Sequence, residues 1–362
     1  MKTFPLEYLT LEEAKKLQFK LVETITRHFS NNEFLNNGDL GVVPGLGRPK
    51  MTAKVERTIA EFFGAEDAVL VRGAGTGAIR LALQAAIRHG DKVLVHDAPI
   101  YSTTATTFEF MGLDAVKVDM NRTDEVLQAI NGDIKLIYIQ HSRQKSSDSY
   151  DMYELIRSIK HVTDVPIITD ENYTVFKTRF IGTQVGATLS CFSCFKLFGP
   201  EGIGCVVGKK SLIDKIRGMN YSGGSQVQGY EAMDVLRSMV FVPVMAAIQA
   251  EEIERIADII NSGKVEGAES AYVANAQSRV VLVRLREPIA ARVIEEAGSL
   301  GAATYPVGAE SKYEIVPMFY RASGTFIKEN PELNDYVIRI NPMRAGHETV
   351  IKILKEAIRK AR

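Results

Sequence analysis

Lys196 is the residue of this sequence whose surroundings are most unusual for its type. It lies in the segment LSCFSCFKLFGPEGIGCVVG, between two apolar runs and beside Phe195 and Leu197. Burial disfavours the charged form of a lysine, so a lysine in such a segment rarely lacks a specific role. A desolvated lysine with a lowered pKa is a nucleophile suited to Schiff-base formation. The alternative is a lysine that extends from a loop into solvent.

Asp170 is a second candidate, at the end of the apolar run VPIITD. An aspartate at the carboxyl end of a parallel strand lies along the crevice in which such sheets bind ligands. The alternative is an aspartate that caps the turn after the strand.

A glycine-rich segment at residues 73–78, GAGTGA, follows an apolar run and opens a helical pattern. Glycines such as Gly75 and Gly77 let the backbone approach an anion, and the N–H groups of a first helical turn, here near Thr76, can bind it. The segment also satisfies a loose dinucleotide fingerprint, with Asp97 placed to bind a ribose. A structural turn, a dinucleotide site and another phosphate site therefore remain open.

Arg339 is a single cation within the apolar segment YVIRINP. Its planar fork of donors matches a substrate carboxylate, and a structural ion pair is nearly as good an explanation.

Taken together, these residues fit pyridoxal phosphate better than a nicotinamide cofactor. Lys196 would hold the aldehyde as an imine, and Asp170 would pair with the pyridine nitrogen and keep the ring an electron sink. The helix start would bind the phosphate, and Tyr101, in HDAPIYSTT, can stack on the ring. A dinucleotide leaves both Asp170 and Lys196 without a role.

The chain resembles the fold type I pyridoxal-phosphate enzymes, the aspartate aminotransferase superfamily, over nearly its whole length. The segment KLFGPEGIG resembles the signature of class V aminotransferases and cysteine desulfurases, whereas GAGTGAI, IQHSRQ and YSGGSQVQG resemble the branch related to methionine gamma-lyase. The sequence is also similar to a group of bacterial proteins called YhfS, which are predicted pyridoxal-phosphate enzymes without an assigned reaction. The resemblance implies these roles: the imine for Lys196, the pyridine nitrogen for Asp170, the ring for Tyr101, the substrate carboxylate for Arg339, and the phosphate for Gly75, Thr76 and Ser193.

Two departures from the desulfurase pattern argue against persulfide chemistry. Those enzymes need a reactive cysteine late in the chain, and no cysteine follows Cys205. They also usually carry histidine where this chain has Phe195. His141, in IYIQHSRQ, is a candidate acid–base group or ring partner, or a structural histidine. Arg143 and Arg48 are weaker candidates, and in the lyase-like branch the loop that contains Arg48 reaches a neighbouring subunit's phosphate.

The elements expected to position these residues belong to an α/β fold. Seven short apolar runs from about residue 68 to 208 alternate with helical patterns and lack in–out alternation, which predicts a mainly parallel seven-stranded sheet sandwiched by helices. SRVVLVRL, YEIVPMF and YVIRINP predict strands of a smaller α+β C-terminal lobe. We expect an N-terminal helix and glycine-rich loop (1–50), a cofactor-binding domain (51–250) and a small domain (251–362). Pro243 is expected to kink or divide a long helix.

Composition excludes several other classes of protein. The 44 basic and 44 acidic side chains give a net charge of zero, which disfavours binding to nucleic acids or anionic membranes. The three cysteines form no disulfide framework, and cysteines and histidines show no metal-ligand spacing. We therefore expect a cytoplasmic protein. The pyridoxal-phosphate assignment adds a small amino-acid substrate, and the superfamily resemblance implies a homodimer or homotetramer.

The reaction is the least determined property. The segment around Lys196 favours an aminotransferase, and the lyase-like segments favour C–S beta- or gamma-elimination on a sulfur amino acid. A non-catalytic binding protein with the same fold is the alternative from a different class. Neither the amino acid nor the choice among transamination, elimination and racemisation follows from residue spacing.

Overall fold

The computed structural model describes residues 3–276, 278–307, 310–322, 331 and 333–362, which form two compact units. The larger unit contains residues 12–141 and 150–243, and the smaller unit contains residues 1–11, 142–149 and 244–362. Residues 1–50, which the sequence grouped as one N-terminal segment, are divided between the two units at residue 12.

The larger unit is built on the seven-stranded sheet that the apolar runs predicted. Its strands are β1 (Asp67–Arg72), β2 (Lys92–His96), β3 (Asp114–Val118), β4 (Ile134–Gln140), β5 (Ile167–Asp170), β6 (Leu189–Ser193) and β7 (Ile203–Gly208). They lie in the order β1-β7-β6-β5-β4-β2-β3. The two pairings made by β7, with β1 and with β6, are antiparallel, and the other four pairings are parallel. Every residue of β5, β6 and β7 is buried, because helices cover both faces of the sheet.

The strand order excludes the dinucleotide interpretation of residues 73–78. In a dinucleotide-binding fold the first strand is central and parallel to its neighbours. Here β1 is an edge strand and pairs antiparallel with β7. The glycine-rich segment after β1 therefore lies in a different architecture, and Asp97 has no ribose-binding role of the predicted kind.

Helices alternate with most of these strands along the larger unit. They are α1 (Leu11–His28), α2 (Lys50–Phe63), α3 (Ala74–Ala86), α4 (Ser102–Phe110), α5 (Thr123–Ala129), α6 (Met152–Val162), α7 (Lys210–Met219) and the start of α8 (Gly229–Asn261). Of the two expected effects of Pro243, a kink or a division of the helix, the division does not occur, because α8 continues through this residue. Proline removes one backbone hydrogen bond, and burial of residues such as Met239 and Val242 offsets that loss.

The smaller unit contains an antiparallel four-stranded sheet. Its strands are β8 (Ala268–Ala276), β9 (Ser278–Leu285), β10 (Met318–Arg321) and β11 (Val337–Asn341), in the order β10-β11-β9-β8. Helices α9 (Ala290–Ser299) and α10 (His347–Ala361) contribute to its apolar core, and Leu333–Tyr336 form one further helical turn. The sequence did not predict β8, whose AESAYVANA has few large apolar residues, and it placed the start of β10 too early. Among the described residues, no helix combines the length and the apolar character needed to cross a bilayer.

Candidate active site

Asp170 is the last residue of β5 and is almost completely buried. Its Oδ2 atom accepts a hydrogen bond from the Tyr138 hydroxyl at 3.0 Å. Its Oδ1 atom accepts two from Asn172, from the backbone N–H at 3.0 Å and from Nδ2 at 2.6 Å. All of these donors are neutral. Burial raises the pKa of Asp170 above its ordinary value, although the hydrogen bonds from Asn172 and Tyr138 oppose that rise.

Lys196 lies in a single helical turn, Phe195–Leu197, between β6 and β7. Its Nζ atom donates a hydrogen bond to the Tyr173 hydroxyl at 2.6 Å and lies 4.1 Å from the centre of that ring. The side chain is half-buried rather than enclosed, because the turn lies beyond the ends of the two strands. The apolar segment around Lys196 was thus correctly interpreted as two strands, and the lysine itself keeps partial contact with solvent.

The glycine-rich segment is a tight turn anchored to the start of β7. Gly73 and Ala74 both have left-handed backbones, with φ of +93° and +53°. Their N–H groups both donate to the Gly202 carbonyl, at 2.8 and 3.0 Å. Left-handed geometry costs little for glycine and more for alanine, so this turn holds a strained conformation directly before a helix.

Helix α3 begins at this turn, and after Ala74, whose N–H donates to Gly202, the N–H groups of Gly75 and Thr76 are the donors that an anion would use. Gly75 is buried, and a methyl group there would overlap the Asn172 side chain. A methyl group at Gly77 would overlap the Arg72 carbonyl. The Thr76 hydroxyl lies 3.0 Å from that of Thr103 in α4. Both glycines are therefore needed for close packing at the helix start.

Ser193 and Tyr101 occupy different positions relative to these groups. Ser193 ends β6, is buried, and donates its backbone N–H to Asn172 Oδ1 at 3.0 Å. Tyr101 directly precedes α4, and its side chain is 46% exposed. The structure thus brings Gly75, Asp170 and Ser193 together around Asn172, whereas Tyr101 lies at the start of the neighbouring helix.

His141 follows β4, and its side chain is hydrogen-bonded to Glu171, while its backbone N–H donates to the Asp170 carbonyl at 3.1 Å. Its Nδ1 atom lies 2.6 Å from Glu171 Oε2, and its ring is stacked with Phe180 at 6.1 Å. Burial raises the pKa of Glu171, but its interaction with His141 and its hydrogen bonds from Thr174 and the Gly182 N–H together lower it, so this pKa lies below its ordinary value. Since Nδ1 is engaged, an acid–base role for His141 would have to use Nε2.

Three arginines that the sequence singled out have different local partners. Arg339 is a buried residue of β11, in the smaller unit, with its guanidinium 3.9 Å from the Tyr320 ring centre. Arg143 donates from Nε to the Phe4 carbonyl at 3.1 Å, also in the smaller unit. Arg48, in the larger unit, is ion-paired with Glu56 at 2.9 Å.

Tertiary structure also groups His96, Asp97 and Asp119, whose potential ligand atoms lie within 4.8 Å of one another. The sequence spacing gave no sign of this group. The Nδ1 atom of His96 accepts the Met120 N–H at 3.1 Å, so this atom is already engaged in a hydrogen bond.

Three residues of the site were not identified from the sequence: Tyr138, Asn172 and Tyr173. The last two belong to the same TDENY segment as Asp170, so their closeness along the chain was a usable signal. Tyr138 precedes the end of β4, and its contact with Asp170 depends on the pairing of β4 with β5.

The residues present offer a matching group for each reactive or charged part of pyridoxal phosphate. The start of α3 offers backbone donors for a phosphate, and Asp170 is a buried carboxylate whose own hydrogen bonds come from neutral donors. Lys196 offers a partly accessible amine for an aldehyde. These three features suit the phosphate, the protonated ring nitrogen and the aldehyde of this cofactor.

Comparison with known proteins agrees with this assignment. Residues 48–250 match the family model described as Aminotransferase class-V, and residues 254–354 match the YhfS-like, C-terminal domain. The chain is 52% identical over 361 residues to the Escherichia coli (strain K12) protein named "Uncharacterized protein YhfS", and the match covers 99% of both chains. The crystal structure of the pyridoxal-5'-phosphate dependent protein YhfS from Escherichia coli is similar with a TM-score of 0.98 at 51% identity, covering 99% of this chain and 100% of that one.

A more distant structure shares the fold alone. A Listeria innocua protein, described as a candidate cystathionine beta-lyase involved in aluminum resistance, has a TM-score of 0.72 at 19% identity and covers 96% of this chain and 95% of its own. The family match over residues 48–250 and the high identity to YhfS over the whole chain establish that this protein belongs to the class V aminotransferase family of fold type I pyridoxal-phosphate enzymes, and within it to the YhfS proteins.

Proposed function

We propose that this protein is an aminotransferase-type enzyme that binds pyridoxal phosphate through the start of α3, Asp170 and Lys196 and acts on an amino acid. The observation that carries the proposal is the environment of Asp170. A buried carboxylate with only neutral donors is costly unless a cation completes it, and a protonated pyridine nitrogen is such a cation.

When bound, pyridoxal phosphate supplies an aldehyde that condenses with amines and a ring that accepts the electron pair released at Cα of a substrate. The chain supplies the groups around it. Lys196 Nζ is the amine for the aldehyde and, once a substrate amine replaces it, the base that takes the Cα proton. Tyr173 orients this Nζ through the 2.6 Å hydrogen bond.

The phosphate and the ring would be bound by groups from separate elements. The N–H groups near Gly75 and Thr76 and the end of β6 at Ser193 would bind the phosphate. Tyr101 would cover the ring face, and Arg339 would bind the substrate carboxylate with its fork of donors.

Transamination is favoured over C–S elimination by the class V family match, which covers residues 48–250. Elimination is supported by the lyase-like sequence segments GAGTGAI, IQHSRQ and YSGGSQVQG. The structural likeness to the Listeria innocua protein adds no support for either reaction, because it concerns the fold only. In both reactions Lys196 would take the proton from Cα. In transamination that proton would then be delivered to the cofactor, whereas in elimination the sulfur substituent at Cβ or Cγ of the substrate would leave with the electron pair of its C–S bond.

Reduction with borohydride tests the cofactor assignment. The purified protein with bound cofactor should absorb visible light, and borohydride should fix the label on Lys196. Lys196→Ala should lose the label, and Lys209→Ala, at an exposed position in the same unit, should keep it. A label on another lysine would contradict the proposal.

The reaction is tested by incubation with single amino acids, with and without a 2-oxo acid. A new amino acid that appears only with the 2-oxo acid indicates transamination, whereas pyruvate with ammonia or sulfide indicates elimination. Spectral change without turnover on any amino acid would instead favour a binding protein.

We also propose a homodimer, because two loops of the larger unit expose large apolar side chains. Leu40 and Tyr221 are 79% and 78% exposed, and Val42 is also largely accessible. Apolar residues concentrated in loops favour burial against a second copy. Light scattering should give twice the chain mass, and a monomer with full cofactor affinity would contradict the proposal.

A further inference from the structure

Asn172 uses both ends of its side chain to join two strands of the candidate site. Its Nδ2 donates to Asp170 Oδ1 at 2.6 Å, and its Oδ1 accepts the Ser193 N–H at 3.0 Å. A carboxylate requires a donor and a backbone N–H requires an acceptor, so these two partners fix the orientation of the amide. This side chain therefore links the ends of β5 and β6, in addition to the backbone pairing of the two strands.

The same side chain determines which residue can occupy position 75. A methyl group on Gly75 would overlap Asn172 Oδ1 and would also approach Cγ and Nδ2 within 2.8 Å. Gly75 lies in the first turn of α3, where alanine would form a helix more readily. Asn172 thus touches the helix start, the strand end that carries Asp170, and the strand end that carries Ser193.

We propose that Asn172 is a positioning residue that couples the Asp170 carboxylate to the phosphate-binding start of α3. This inference rests on the proposed cofactor site. Because one planar amide contacts both parts, a displacement at Gly75 moves the amide and removes a donor from Asp170. The phosphate end and the ring-nitrogen end of the cofactor are then bound as one unit.

Asn172→Asp separates the hydrogen bonds from the packing. The variant keeps the shape and the acceptor for Ser193, but it replaces the donor to Asp170 with a second carboxylate. Loss of a hydrogen bond to a charged group predicts cofactor binding about 10- to 100-fold weaker, with a shifted absorbance of the bound cofactor. The melting temperature of the cofactor-free chain, measured beside it, reports separately on folding.

A double-mutant cycle tests the coupling itself. Gly75→Ala should weaken cofactor binding because its methyl group meets Asn172. In the Asn172→Ala background the same change should have little further effect, because the obstructing amide is gone. Gly77→Ala is the matched control, since its methyl group would meet the Arg72 carbonyl, which Asn172→Ala does not remove. The control pair should therefore be additive.

The measurement is the dissociation constant for pyridoxal phosphate, obtained by absorbance titration of the cofactor-free full-length protein. Non-additivity for Gly75 with additivity for Gly77 supports the coupling. Additive effects in both pairs, with folded variants, overturn it. If Asn172→Ala does not fold, Asn172→Ser takes its place in the cycle, because serine is smaller and keeps a hydroxyl. Failure of the unmodified protein to bind the cofactor would instead reject the proposed function.

Discussion

Two buried carboxylates of the larger unit are satisfied in opposite ways. Glu56, in α2, lies 2.9 Å from Arg48 Nε and 3.3 Å from an Arg217 nitrogen, and it also accepts the Leu70 N–H at 3.0 Å. Asp170 is hydrogen-bonded to a tyrosine hydroxyl, a side-chain amide and a backbone N–H. The chain itself thus supplies cations for Glu56 and neutral donors for Asp170.

Burial raises the pKa of both groups, and different contacts oppose it. For Glu56 the positive charges of Arg217 and Arg48 are the largest opposing cause, whereas for Asp170 hydrogen bonds from Asn172 and Tyr138 oppose burial. A buried anion that already has its cations can be purely structural. One held by neutral donors still gains from a cation, which is the basis for assigning Asp170 to a cofactor.

Asp170→Asn should show the largest effect on activity. The change removes the charge and keeps the shape, so turnover should fall about 10²–10³-fold, the range seen when one electrostatic stabiliser is lost. The measurement is kcat with the best amino acid of the panel. Activity near that of the unmodified protein would show that Asp170 is no more functional than Glu56.

Glu56→Gln is the counterpart and should affect folding instead. Glutamine can still accept the Leu70 N–H, but Arg48 and Arg217 both lose the charge of Glu56. Arg217 keeps its ion pairs with Asp67 and Asp214. We expect a loss of about 3 kcal/mol in the free energy of unfolding, near the lower end for a broken buried pair. Denaturant unfolding measures this, with turnover per folded molecule unchanged. A variant with unchanged stability and lost turnover would show that Glu56 has a role in catalysis rather than in folding.

Arg339→Lys extends the comparison to a buried cation. Arg339 lies over the Tyr320 ring, and lysine keeps the charge but loses the fork. If Arg339 binds a substrate carboxylate, loss of one hydrogen bond predicts a rise in KM of about 10- to 100-fold with an unchanged cofactor spectrum. Unfolding or cofactor loss would make this arginine structural.

The smallest effect concerns the pH dependence of stability. The folded-state pKa of Asp170 is raised above 3.8, so the folded cofactor-free chain retains a proton that the unfolded chain loses. The stability that this carboxyl contributes is fully present at a pH below its ordinary pKa of 3.8, and it is lost as the pH rises through the higher pKa of the folded state. The free energy of unfolding of the unmodified protein, relative to Asp170→Asn, should therefore fall with rising pH. A difference independent of pH would contradict the buried setting of Asp170.

The sequence determined the parts of the fold that depend on local pattern. Short apolar runs predicted all seven strands of the larger sheet, and the runs without in–out alternation in β5, β6 and β7 correspond to strands that are buried on both faces. The order of residue types identified Asp170 and Lys196 as a pair. Strand β8 was not predicted, and local pattern left open whether Pro243 kinks or divides α8, because packing against the core outweighs local propensity in both places.

Only the tertiary structure decided the order of the strands and the hydrogen-bond partners of Asp170. The strand order placed β1 at the edge and excluded the dinucleotide site, and that order is set by contacts between residues far apart in sequence. The hydrogen bonds of Tyr138 and Asn172 to Asp170 require the pairing of β4 with β5 and the turn after β5. Residue types and spacing reveal which charges a chain carries, but whether a buried charge is paired within the chain depends on three-dimensional neighbours. That is why Asp170 and Glu56 could be distinguished only in the folded molecule.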